Sequence, residues 1–307
     1  MTLKTKTLIK IASLIIFLIL FIYFILTHLK DFSSLSLVSP STILILIVLF
    51  ILSYFFIGLI NRTVLVALKV PLKIKESFAL SLMTGFYNVI SPFKGGMALR
   101  AIYLKKHYNF TYTDFIISLT AIGILSFFIT SIAGIITTII IYNTTGRFSI
   151  SIFLIFLVTA CTTLILMSIS PKGKHHLFSK WRTITHHWSL IKTKKQAIFQ
   201  VALFTTLALL NSAFMMHLQF YSLGSNLSYI KALFLVSLSS LSIIINITPA
   251  GLGIQEAITV FSGLALGISP VYSLAAALLG RAVSFTVLFI LGPICSYYLL
   301  KNTNRKI

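Results

Sequence analysis

The sequence predicts an all-α polytopic membrane protein, built as inverted repeats around two re-entrant broken-helix hairpins. Three observations carry this. The chain is 58% hydrophobic and only 9% charged, with a mean hydropathy of +1.03; a soluble domain carries about 25% charged residues. Apolar windows of roughly 20 residues recur along it, each long enough to cross ~30 Å of hydrocarbon. Two further apolar stretches are interrupted near their middles by proline and glycine in a shared pattern.

The first apolar run, 8–29, follows Lys4, Lys6 and Lys10, as a secretory n-region would. At roughly 22 residues it exceeds the h-region of a signal peptide, and no small-x-small cleavage site follows. It is expected to be a first transmembrane span. Spans are also expected at 41–60, 112–142, 149–169, 198–223 and 271–300. The stretches 77–104 and 230–268 are expected to be hairpins. The first is broken at Ser91-Pro92-Phe93-Lys94-Gly95-Gly96 and the second at Thr248-Pro249-Ala250-Gly251-Leu252-Gly253. Proline removes a backbone donor and breaks a helix; glycine permits the turn and a close approach. Broken backbone at membrane depth is tolerated only where protein buries it or it lines a cavity. Between 170 and 197, Leu177, Trp181, Ile184, Trp188 and Ile191 recur at helical spacing among lysines. This predicts an interfacial basic helix over 174–195, lying on an anionic leaflet. Almost nothing remains outside these segments, so residues 1–307 read as one membrane domain.

Charge sets the expected topology. There are 25 Lys and Arg against four acids, Asp31, Glu76, Asp114 and Glu256, for a net charge of +21. In a soluble protein this balance would point to nucleic acid. In a membrane protein the positive-inside bias and anionic headgroups account for it, so no nucleic-acid partner is expected. Lys69, Lys73 and Lys75 precede the first hairpin, and Lys105, Lys106 and His107 follow it. Both of its ends therefore belong in the cytoplasm. The second hairpin has only Lys231 at its start and enters from the opposite face. This arrangement makes 19 of the 25 basic residues cytoplasmic, with Lys30, Arg147 and Lys231 external and Lys94, Arg100 and Arg281 within the membrane. Both termini are then cytoplasmic, in the cell membrane. The set 41–60, 77–104, 112–142 runs in the opposite sense to the set 198–223, 230–268, 271–300. Inverted repeats with broken helices near the midplane are a transporter design, although Pro-Gly kinks are also common in membrane helices.

Intramembrane ionisable groups are costly, so they pair or line a polar cavity. Lys94 and Arg100 belong to the first hairpin, Glu256 and Gln255 follow the second break, and Arg281 lies in the last span. If the hairpins meet, Glu256 neutralises one cation and the others leave a positive pocket. Arginine forks and broken-helix N-termini suit a phosphate-bearing headgroup there. The competing reading makes Glu256–Arg281 a static buried pair. Asn88 and Asn246 precede the breaks and are expected to cap them or touch a ligand; Asp114 reads as a helix N-terminal charge. His175-His176 and His186-His187 lie in a basic loop that repels cations, so no metal site is expected. His217 reads as a hydrogen-bonded core residue. Cys161 and Cys295 give neither a disulfide framework nor a CxxC pair. No phosphate loop, GxSxG elbow or HExxH helix occurs, and four acids leave little for acid–base hydrolysis. Neither a cofactor nor an enzymatic activity is expected.

Pro92-x-x-x-Gly96-x-x-x-Arg100, Thr248-Pro249-Ala250-Gly251-Leu252-Gly253-Ile254-Gln255-Glu256 and Leu278-Leu279-Gly280-Arg281 resemble motifs of the lysylphosphatidylglycerol synthase transmembrane (flippase-like) family. The resemblance covers most of the chain, from the second span to the last. It implies a lipid-translocating domain, which in two-part enzymes moves aminoacylated phosphatidylglycerol between leaflets. Aminoacyl transfer there belongs to a separate soluble domain, for which a chain ending at Ile307 has no room, so this is expected to be a stand-alone member. Where the family often has Gly-Glu, this chain has Gly96-Met97. Without that acid, a plainly anionic or polyprenyl-phosphate lipid suits the residue charges better than the cationic lysyl lipid. The expected function is translocation of an anionic phospholipid or lipid-linked intermediate. Its expected partners are membrane lipids with anionic headgroups and a lipid-synthesising enzyme. Two alternatives stand beside it: an ion-coupled transporter of a small anion, and a membrane-bound lipid-modifying transferase (a phosphatidylglycerol lysyltransferase by family name only).

Overall fold

The computed structural model describes residues 38–91, 94–146, 149–168, 194–241, 251 and 253–303. The segment expected at 8–29 and all of that expected at 174–195 except Lys194 and Lys195, with both histidine pairs, lie outside the described residues. The described residues form helices and no strands.

Local chemistry sets several helix ends. Helix α1 (Pro40–Ala67) starts with proline at its first position, and the Ser39 hydroxyl accepts the Thr42 N–H at 3.3 Å. Helices α2 (Ile74–Ile90) and α3 (Gly95–Tyr108) flank the first break. Helix α4 (Tyr112–Thr145) is N-capped by Thr111: the Asp114 N–H donates to Thr111 Oγ1 at 3.1 Å, and the Thr111 hydroxyl donates to the Asp114 carboxylate at 2.8 Å. Asp114 is thus the helix N-terminal charge expected. Helices α5 (Ile150–Ser168) and α6 (Lys195–Ser222) follow. Helices α7 (Tyr229–Leu241) and α8 (Ile254–Ala265) flank the second break, and α9 (Pro270–Thr303) completes the described fold.

Helices α1, α4, α5, α6 and α9 are long and apolar enough to cross a membrane. Their apolar character runs all round rather than along one stripe, the pattern of a lipid-embedded helix. Leu44, Val158 and Phe289 stand more than half exposed, at 63%, 60% and 51%. A contiguous apolar surface of this kind is not sustained in water. The chain is an integral membrane protein.

Helix α1 packs antiparallel to α6. Lys194 donates to the Ala67 carbonyl at 2.8 Å at one end, and Asn211 donates to the Leu49 carbonyl at 2.9 Å and the Ser53 hydroxyl at 2.7 Å further along. Helix α2 packs on α9, and α7 packs on α4. The packing has a regularity. Exchanging α1, α2, α3 and α4 for α6, α7, α8 and α9 maps the α1–α6 pair onto itself and the other touching helix pairs onto one another, apart from α4 with α5, although α8 packs on α9 far more closely than α3 on α4. Lys69, Lys73, Lys75, Lys105, Lys106 and Lys194 gather at one end, around the core of Leu65, Val70, Leu72, Leu104 and Leu299. Leu46, Phe156, Phe220, Phe234 and Ala275 build the second large core, contributed by α1, α5, α6, α7 and α9.

Candidate functional site

The first break sits between two antiparallel arms. At the open end, Glu76 in the first turn of α2 accepts from both Tyr103 and Tyr108 of α3. The Tyr103 hydroxyl lies 2.7 Å from Oε1, and the Tyr108 hydroxyl lies 2.7 Å from Oε1 and 2.8 Å from Oε2. At the tip, the Asn88 side-chain oxygen accepts the Met97 N–H at 3.2 Å. Asn88 therefore caps the second arm from the first. Helix α3 springs from Lys94, which has φ 56° and stands exposed at the tip. A Cβ on Gly96 would collide with the Thr84 carbonyl and lie 2.8 Å from Asn88 Oδ1. Only glycine lets the arms close this tightly; Gly95 likewise abuts Ser91. Pro92 lies outside the described residues.

Arg100 lies one and a half turns into α3 and is 4% exposed. Its guanidinium carbon is 5.7 Å from the centre of the Phe115 ring on α4, a cation–π distance. Its Nε and Nη2 have no hydrogen-bond partner among the described residues. These two nitrogens are the side-on fork of an arginine, the pair that takes an oxyanion bidentately.

The second break shows the same fork filled. Helix α8 starts from Gly253, at φ 84°, preceded by Gly251 at φ 68°. Glu256, 6% exposed, accepts the Gly253 N–H on Oε2 at 2.8 Å. Its Oε1 accepts Arg281 Nε at 3.0 Å and Nη2 at 2.6 Å, joining α8 to α9. Glu256 thus neutralises Arg281 and not Arg100. Gln255 is exposed beside it, and Pro249 and Asn246 lie outside the described residues. His217 shares a hydrogen bond of 2.7 Å with the Leu227 carbonyl, as a core histidine does. A cavity of about 360 Å³ lies elsewhere, between α4, α5, α7 and the end of α8. Thr138, Ser149, Phe234 and Leu266 are among its lining, which has no ionisable side chain among the described residues.

The Glu76 clasp had no signal in the sequence. Its partners lie 27 and 32 residues away, a spacing no local periodicity reports.

A buried arginine fork beside a glycine-closed broken helix, in a polytopic membrane domain, is the setting of the three motifs noted in the sequence. The family model described as the lysylphosphatidylglycerol synthase TM region matches residues 8–292. The chain belongs to this family. The match takes in the stretches 77–104 and 230–268, Arg100, Glu256 and Arg281. Comparison with curated proteins gave no match. Membership of the lysylphosphatidylglycerol synthase transmembrane family ties the domain to membrane lipid.

Proposed function

We propose that this protein translocates an anionic lipid, a phospholipid or a lipid-linked phosphate, between the leaflets of the cell membrane. The observation that carries the reading is Arg100. A charged group in an apolar interior normally pairs with another group or serves a substrate path. Arg100 is buried, it offers an oxyanion fork, and none of the four acids bonds it among the described residues. Phosphate suits the fork, and Phe115 shields it from water.

The exchange regularity in packing supports two inverted halves, with the α2–α3 hairpin re-entering from the cytoplasm and α7–α8 from outside. The gathered lysines favour a cytoplasmic face at the Lys73 and Lys105 end, in keeping with the expectation that both termini are cytoplasmic. Helix α8 carries Glu256 at its third residue, where α3 carries Met97. An acid at 97 would stand one turn from Arg100, within reach of it. Its replacement by methionine favours an anionic substrate over the lysyl-bearing lipid. The protein moves lipid without a cofactor and performs no covalent chemistry, and a lipid-synthesising enzyme supplies the substrate.

Reconstituted vesicles test this. Protein-containing vesicles are expected to exchange fluorescent phosphatidylglycerol between leaflets faster than empty ones, and to leave trapped inorganic phosphate inside. Phosphate efflux without lipid exchange would replace this reading with the small-anion transporter.

A further inference from the structure

The Glu256–Arg281 pair is built as an occupied oxyanion site. Arg281 turns Nε and Nη2 onto a single oxygen, Glu256 Oε1, at 3.0 and 2.6 Å. The other carboxylate oxygen takes the Gly253 N–H, the first backbone donor of α8, at 2.8 Å. An arginine fork and a helix N-terminal N–H converging on one anion are the donors that hold a phosphate in many sites. In Arg100 the same two nitrogens are buried without a partner among the described residues. The first hairpin and the α8–α9 junction therefore carry one kind of fork in two conditions, and in the second the anion belongs to the chain.

Support alone does not require this pair. Apolar residues of similar volume join buried helices as well as or better than an ion pair does. Transport, by contrast, needs stations that bind well enough to be entered and weakly enough to be left. An uncompensated arginine fork at each of the two places would trap an anion twice.

We propose that the Arg281 fork and the Gly253 N–H form a second oxyanion station, which takes the lipid's phosphate group, and that Glu256 is its tethered competitor. The proposal rests on the reading of Arg100 as the headgroup site and adds a second stop on the same route. A phosphate arriving at α8 displaces the carboxylate from Arg281. When it leaves, the carboxylate returns, so the station does not hold the substrate.

The test uses the full chain in detergent, with short-chain phosphatidylglycerol and inorganic phosphate as probes. Glu256→Gln removes the competing charge while keeping an acceptor for the Gly253 N–H. Glu256→Ala also removes any cover that a glutamine amide would give the fork. Glu256→Gln combined with Arg281→Gln removes both charges together and leaves the interior neutral.

Glu256→Gln or Glu256→Ala is expected to gain a phosphatidylglycerol site roughly tenfold tighter than any second site in the native chain, the scale of a charge-assisted hydrogen-bond pair. The double variant is expected to lose that gain, and inorganic phosphate to bind the new site more weakly than the lipid. No added site in either folded Glu256 variant would make the pair a static strut and overturn the proposal. A new site that takes inorganic phosphate and not phosphatidylglycerol would overturn the lipid assignment. Arg100→Ala reads the first site separately. If it leaves native lipid binding intact, the Arg100 reading fails, whatever Glu256→Gln shows.

Discussion

Arg100 and Arg281 bring the same side chain into apolar surroundings and end differently. Arg281 is neutralised by Glu256, while Arg100 rests on Phe115 with its fork unpaired among the described residues. This difference predicts opposite responses to truncation. Arg281→Ala leaves a buried carboxylate alone and is expected to cost about 3–5 kcal/mol of stability. Arg100→Ala removes an uncompensated buried charge, so its thermal midpoint in detergent is expected to equal or exceed that of the native chain, while phosphatidylglycerol binding is lost. Thermal unfolding of the two variants side by side checks this, and a large destabilisation by Arg100→Ala would mark it as structural. Arg100→Lys keeps the charge without the fork and is expected to weaken phosphatidylglycerol binding about tenfold. Part of this was legible in the sequence: Lys94 and Arg100 follow a stretch with no acid after Glu76. The partner of Glu256 was not decided there. It lies 25 residues away on another helix, and several cations were candidates.

At the scale of elements, the first hairpin is held at both ends. Asn88 bonds Met97 at the tip and Glu76 bonds Tyr103 and Tyr108 at the open end. Tyr103 lies one turn beyond Arg100, so the clasp also fixes the part of α3 that carries the fork. Glu76→Ala is expected to cost the hairpin about 2 kcal/mol, since it removes hydrogen bonds to a charged acceptor. Hydrogen exchange across 95–108 checks it, with faster exchange there than in α6. Gly96→Val is expected to be more damaging, because its side chain meets the Thr84 carbonyl. The interruptions were readable because proline and glycine act locally: the first falls between Ile90 and Gly95, and at the second Gly251 and Gly253 take positive φ just before Ile254. The clasp was not readable, because a carboxylate among Lys73, Lys75, Lys105 and Lys106 gives no hint in sequence that it binds tyrosines instead.

At the scale of the whole molecule, hydropathy alone announced an all-α membrane protein, since lipid-facing helices must be apolar all round. The pairing of helices was beyond it. That α2 lies on α9 and α7 on α4 depends on surfaces such as Phe86 against Phe289 and Gly292, which no periodicity reveals. Two inverted halves predict a labelling pattern. In a background without Cys161 and Cys295, Lys73→Cys and Lys105→Cys are expected to react from the cytoplasmic side, and Lys231→Cys from outside. Reaction of positions 73 and 105 from opposite faces would make α2–α3 a full crossing. The most direct test of the central claim is leaflet exchange of fluorescent phosphatidylglycerol in vesicles holding equal amounts of folded native or Arg100→Ala protein. The account predicts exchange in the native vesicles and its loss in the variant. Equal exchange in both would contradict it.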